Sequence, residues 1–335
     1  MNMITCPAKR KSYNCYSGGI CYLLERKGTY LSEHTSFGLS AGLNFEVHIK
    51  DQLSFYAVRA LHCLTDFIYS LGVEVVEYPE DSFDTFLVQT KKQIESNMPL
   101  MAEYDGFYFP FTQIFQKKHD KRIAMVVGYD SSNLYISDFI YSAYEVPISY
   151  ELFEQAVSPF KGACVTPKWY DVNFPVNVDE KITSELVVKS IDDVYKHFLD
   201  VNLSDDNKLI GIAGIRTFSK KMQEIMQSPF IKIDWADFSE DIKQAVITFR
   251  YYGDFIKDIT ANNLLYIPIE DAQKIQALFY DVSALWRIIS NLFFRYSLTQ
   301  KDTLQPKIGK NMSDSADILE EAFALLGKSI LQYKE

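Results

Sequence analysis

Near residue 170 the chain changes its period, and that change restricts it to a two-part fold. Before it, β-branched and aromatic runs alternate with segments of helical spacing. After it, nearly every segment carries apolar residues three and four apart. The boundary falls within Pro167 to Pro175, a stretch with two prolines and no periodicity. At 335 residues the chain is long enough for two ordinary domains with a large core.

In the first part, Ser17 to Arg26 reads as a helix ended by Gly28, and Leu53 to Leu71 as a helix stopping at Gly72. Val73 to Glu77 is a short strand, Ser82 to Ile94 an amphipathic helix, and Pro99 to Tyr108 a strand running into a turn. Ile123 to Tyr129 and Leu134 to Ser137 form a hairpin over Asp130-Ser131-Ser132-Asn133. Ser149 caps a short helix to Val157, and Gly162 to Thr166 is a last strand. Helices first and an antiparallel sheet after them predict an α+β fold over residues 1–170. Residues 171–335 predict an all-α domain, with helices around Lys181–Leu199, Ile210–Gln227, Ser239–Ile259, Ile269–Ser297 and Ser313–Tyr333. Asp179, Ser239 and Ser313 are the expected N-caps, and Pro229 and Pro268 the breaks.

Several function classes are disfavoured. The net charge of −10 argues against a nucleic-acid partner, although Lys9-Arg10-Lys11 and Lys117-Lys118 with Lys121-Arg122 form local basic patches. No apolar window is long enough for a transmembrane helix, and the N-terminus has no signal-like core, so a cytoplasmic protein is expected. The five cysteines, Cys6, Cys15, Cys21, Cys63 and Cys164, show no metal-type spacing and no disulfide framework. Neither a metal nor a cofactor is expected. Phosphate loops, dinucleotide loops, zincin and serine-hydrolase signatures are missing from the sequence.

The chemistry-bearing stretch is Asn14-Cys15-Tyr16-Ser17-Gly18-Gly19-Ile20. A cysteine before small residues and an apolar-periodic run stands at the first turn of a buried helix. That end carries roughly half a positive charge and favours thiolate over thiol. A cysteine nucleophile needs a base and a group that orients it. His119 precedes one strand of the hairpin and Asp138 ends the other, so antiparallel pairing brings them together. Cysteine first, histidine about a hundred residues later and an acid on the next strand is the papain-like order. Each residue also suits a plainer reading: Cys15 an inert core thiol, His119 a surface residue in a charged loop, Asp138 a turn cap. His34, His48, His62 and His197 carry no comparable pattern.

The first part resembles the N-terminal domain of the butirosin biosynthesis protein H family. Asn14-Cys15 through Leu24, Leu31-Ser32-Glu33 and Phe37 to Phe45 carry the first segment of likeness. Pro99 to Pro110 carries the second, and Met125 to Asp130 with Ser137-Asp138 the third. The helical half is similar to the domain that often follows in these proteins, through Gly211 to Ile215 and Phe249 to Phe255. The resemblance implies a papain-like, cysteine-peptidase-type catalytic domain, with the helical domain covering or shaping its substrate pocket. It implies acyl transfer from a carrier-protein phosphopantetheine thioester to a small-molecule amine, as in antibiotic biosynthesis. Cys15 is then the nucleophile, His119 the base and Asp138 its orienter. Asn14, Tyr16, Glu33, Asp105 and Tyr108 supply oxyanion and substrate contacts. The alternatives are a hydrolase of the same fold (peptidase, amidase or thioesterase) and a non-catalytic protein that binds acyl carriers. In the family the histidine lies a few residues nearer the Val-Gly-Tyr-Asp run. Here Arg122 stands at that place and His119 three residues earlier. Either the loop is rearranged or the base has been lost.

Overall fold

The computed structural model describes residues 2–4, 12, 14–50, 53–58, 71–175, 177–205, 207–228, 230–231 and 233–334. The fold is α+β, with antiparallel sheets towards the N-terminus and a helical C-terminal region. It divides into two compact units, Met1–Glu33 with Ile68–Asp179 and His34–Phe67 with Glu180–Glu335. The stretch 34–67 thus groups with the C-terminal residues.

The first unit is built on one antiparallel sheet. In spatial order its strands are β4 (Glu74–Pro79), β9 (Lys168–Asn173), β5 (Leu100–Asp105), β6 (Lys121–Tyr129), β7 (Asn133–Asp138) and β8 (Ala143–Ser149). A short β1 (Asn2–Met3) pairs with the far end of β6. Side chains alternate along β5 and so serve two faces. Leu100, Ala102 and Tyr104 join a core with Phe86 of α3 (Phe83–Glu95) and Phe153 of α4 (Tyr150–Val157). Burying each such phenylalanine contributes about 2 kcal/mol. On the other face Met101 meets α1 (Cys15–Arg26), where a Cβ added at Gly19 would stand 2.9 Å from the Met101 sulfur. Gly19 therefore sets how closely the cysteine-bearing helix approaches the sheet.

The second unit holds a three-stranded antiparallel sheet, β10 (Lys208–Ile210), β2 (Leu43–Ile49) and β3 (Leu53–Val58). Its long helices are α5 (Ser184–Leu199), α6 (Gly211–Gln227), α7 (Trp235–Ala261), α8 (Ile269–Thr299) and α9 (Gln305–Lys334). Aromatic packing joins them. Trp235 stacks on Phe293 at 5.5 Å, and Trp286 lies 5.5 Å from Phe45 and 5.8 Å from Phe55.

Several local expectations need correction. Leu53–Val58 is a strand, because Phe55 and Ala57 alternate inward beside β2; residues 59–70 of the expected helix, with His62, lie outside the described residues. Gly162–Thr166 is not a strand. The strand is Lys168–Asn173, inside the segment read as a break. Its Trp169, Tyr170 and Val172 are buried, and it pairs with both β4 and β5. The caps of α5 and α7 are Thr183 and Asp234, not Asp179 and Ser239. Ser313 lies within α9.

Candidate active site

Cys15 opens α1. Asn14 caps the helix, its side-chain oxygen accepting from the backbone N–H groups of Tyr16 at 3.0 Å and Ser17 at 3.1 Å. Glu33 secures the cap from behind. Its Oε1 accepts from the Asn14 N–H at 2.9 Å, the Ser12 hydroxyl at 2.6 Å and the Ser17 hydroxyl at 2.8 Å. These are structural roles for Asn14, Tyr16 and Glu33, and they occupy the first free N–H groups of the helix. The Cys15 side chain is half-buried. Burial pushes its thiol above the ordinary value, the Ile123 main chain and the Arg122 charge pull it down without prevailing, and Asp138 adds to the rise. The helix end alone therefore does not yield a low thiol pKa here.

Two strand residues act on Cys15 electrostatically. Arg122, paired in register with Tyr104, holds a 2.7 Å ion pair with Asp120 and lies 5.8 Å over the Tyr141 ring. Burial opposes the guanidinium charge, but Asp120, Tyr141, Cys15 and Tyr104 together outweigh it and keep the pKa above the ordinary value. Its Nε is buried with no hydrogen-bond partner among the described residues. Asp138, at the end of β7, is fully buried. It accepts from the N–H groups of Ile140 at 2.8 Å and Tyr141 at 3.1 Å, and from the Tyr104 hydroxyl at 2.5 Å. Burial raises its pKa despite these donors and Arg122.

His119 is placed elsewhere. Its Nδ1 is 2.7 Å from Asp105 Oδ2, and its ring stacks on Phe107 at 4.2 Å with Tyr108 edge-on at 6.1 Å. Among the described residues it makes no hydrogen bond to Cys15 or Asp138. Tyr108 donates its hydroxyl to the Lys161 carbonyl. Asp105 also accepts from the N–H of Cys164 at 2.9 Å, Phe107 at 3.0 Å and Asp120 at 3.3 Å. Thus Cys15, Arg122, Asp138 and Tyr104 form one group, and Asp105, His119 and Cys164 another. Arg122 stands out in the sequence as part of a basic patch and carries no catalytic signature there. Its signal was its position, where the resembling family carries the histidine.

Residues 14–139 match the family model of butirosin biosynthesis protein H, N-terminal. That span contains Cys15, Tyr104, Asp105, His119, Arg122 and Asp138, and so all of the first group and, Cys164 apart, the second. Among solved structures, a Bacillus anthracis protein described as a C39-like peptidase is similar at 14% identity and a TM-score of 0.34, over 52% of this chain and 100% of its own. No curated protein matches the chain. Among the described residues no group of three His, Cys, Asp or Glu side chains is placed to hold a metal ion. No described helix is long and apolar enough to cross a membrane.

Proposed function

We propose that this protein is a cysteine-dependent acyltransferase of papain-like type that takes its acyl group from a thioester and delivers it to an amine. The observation that carries this reading is Arg122 acting on Cys15 where a base is expected. A guanidinium stays charged and accepts no proton. It can favour the Cys15 thiolate, but it cannot protonate a departing amine. Amide hydrolysis requires that protonation, whereas a thioester expels a thiolate that leaves without it. A thioester is therefore the donor this site suits, and a phosphopantetheine arm on a carrier protein is the matching source.

Arg122 also suits the oxyanion. The Tyr16 and Ser17 N–H groups are taken by the Asn14 cap, whereas the buried Arg122 Nε is unpaired among the described residues. A donor of this kind is worth about 3 kcal/mol to a tetrahedral intermediate. Asp138 holds the Tyr104 hydroxyl and the turn after β7, and so fixes the wall beside the sulfur. The acyl-Cys15 thioester then passes to an amine downhill, giving an amide without ATP. For carrier docking, Lys121 is partly neutralised by Glu103 at 3.2 Å and Arg122 by Asp120. The Lys9–Lys11 patch lies outside the described residues.

Intact-protein mass after mixing with a panel of acyl N-acetylcysteamine thioesters tests the reading. Wild type is expected to gain one acyl group and Cys15→Ala none. A wild type that stays unmodified across the panel would instead favour the non-catalytic carrier-binding reading.

A further inference from the structure

The sheet of the first unit has an open edge where β9 outruns β5. The two strands pair only through Tyr170 with Met101 and Trp169 with Ala102. Pro99, just before β5, has no N–H to extend the ladder. The Met98 N–H turns back to the Gln93 carbonyl at 3.0 Å, so the chain leaves the sheet there. Asp171, Val172 and Asn173 keep β4 on one side and face no strand on the other among the described residues. Successive residues of an antiparallel strand direct their backbone groups to alternate edges, so some of theirs turn to the open side. A cleft of about 580 Å³ opens there, within the range that holds small molecules. Its other walls are the end of α1 with Lys27 and Thr29, the end of α3 with Gln93, and the chain after β9 with Phe174. Every residue lining it belongs to the first unit. Arg26 ties two of these walls together, its Nη2 donating to the Asn97 carbonyl and side-chain oxygens, both at 3.3 Å.

The side chains of Lys27, Gln93, Asp171 and Asn173 line this cleft and make no hydrogen bond or ion pair among the described residues. Gln93 and Asp171 are half-buried, so they give up part of their water without a protein partner in return. The cleft thus offers one charge of each sign, an amide and an open strand edge. A narrow slot of about 20 Å³ shares Gln93, Met98, Asp171 and Val172 with it and is lined further in by Leu23 and Leu100. The slot has room for one group of methyl or water size. We propose that the cleft is a second binding site, for a short linear peptide of small residues with both ends free. The peptide ammonium meets Asp171 and its carboxylate meets Lys27. Its amide groups meet the β9 edge and Gln93, as an added strand would. The site is apart from the acyl-transfer centre. The 12 residues of α1 carry Lys27 away from Cys15, by about 18 Å at the helical rise.

Isothermal titration calorimetry of the full chain with tri-alanine, its N-acetyl form and its C-terminal amide tests this. Wild type and Cys15→Ala are expected to bind tri-alanine equally and saturably. Asp171→Asn should weaken tri-alanine and the amide about tenfold and leave the N-acetyl form unchanged, because that form has no ammonium to lose. Lys27→Gln should weaken tri-alanine and the N-acetyl form about threefold and leave the amide unchanged, the smaller effect following from the exposure of Lys27. That exposure also keeps the Lys27 variant decisive where Asp171→Asn folds poorly. A wild type that binds no tri-alanine at millimolar concentration overturns the inference. So does equal weakening of all three probes by either variant, which would mean that the ends are not read. Binding lost in Cys15→Ala overturns it too, since the peptide would then sit at the acyl-transfer centre. None of these outcomes touches the acyl-transfer reading, which stands or falls on the acyl adduct.

Discussion

Asp105 and Asp138 are both carboxyls without exposed surface, yet they are driven in opposite directions. Burial pushes both up. Around Asp105, two backbone N–H groups, an imidazole and both the N–H and thiol of Cys164 reverse that push. Around Asp138, two N–H groups, one phenol and the Arg122 charge do not. Asp138 is also the more deeply surrounded by protein, so donors and depth together set the state of a buried carboxyl. The consequence is chemical. The ionised Asp105 orients a histidine, whereas Asp138 lies close enough to Cys15 to add to the rise of its thiol.

The contrast can be broken most forcefully at Arg122. Arg122→Gln removes the charge that opposes burial at both Cys15 and Asp138. Acylation at neutral pH should fall about 10- to 100-fold, because the thiol is pushed further up. In wild type the thiol is already raised, so acylation should climb with pH beyond the ordinary thiol range. The variant's profile should lie higher still. Initial rates of adduct formation from pH ~6 to ~10 measure both.

Asp105→Asn tests the other side of the contrast. It should cost about 1–3 kcal/mol at neutral pH, because donors that now face a carboxylate would meet an amide. A depressed folded pKa stabilises above the unfolded value of about 3.9, and that stabilisation is lost as pH falls through the folded value. The deficit should therefore shrink in acid, as read by denaturant unfolding across pH. Asp138→Asn should show the reverse trend. A raised folded pKa stabilises below about pH 3.9, and the contribution is lost as pH rises through the folded value. The variant should gain on wild type as pH climbs to neutrality. Tyr104→Phe is the mildest change. It should cost about 1 kcal/mol and push Asp138 further up, by removing its phenolic donor.

Much of the sheet unit was legible because its strands carry local signals. Ser149 caps its helix as expected, and Asn133–Asp138 returns from β6 as the turn residues imply. The strand Lys168–Asn173 was hidden by its flanking prolines, and β3 by an apolar run whose period suits either structure. Cys15 and Asp138 were readable from their places at the ends of elements. The partner of His119 was not. Asp105 ends β5 and reaches the histidine through the register Asp105–Lys121, so the pairing depends on loop closure after the strands, which no local pattern reports.

Strand β9 lies between β4 and β5, although it leaves the ribosome after both. In the other unit, β2 awaits β10, which is made after the whole first sheet. Neither unit can be completed as a bead in series during synthesis. The early strands must wait with open edges, a slow and aggregation-exposed route. Cutting the chain near residue 170 would not yield two independent proteins. It would split β9 in one piece and leave β2 and β3 without β10.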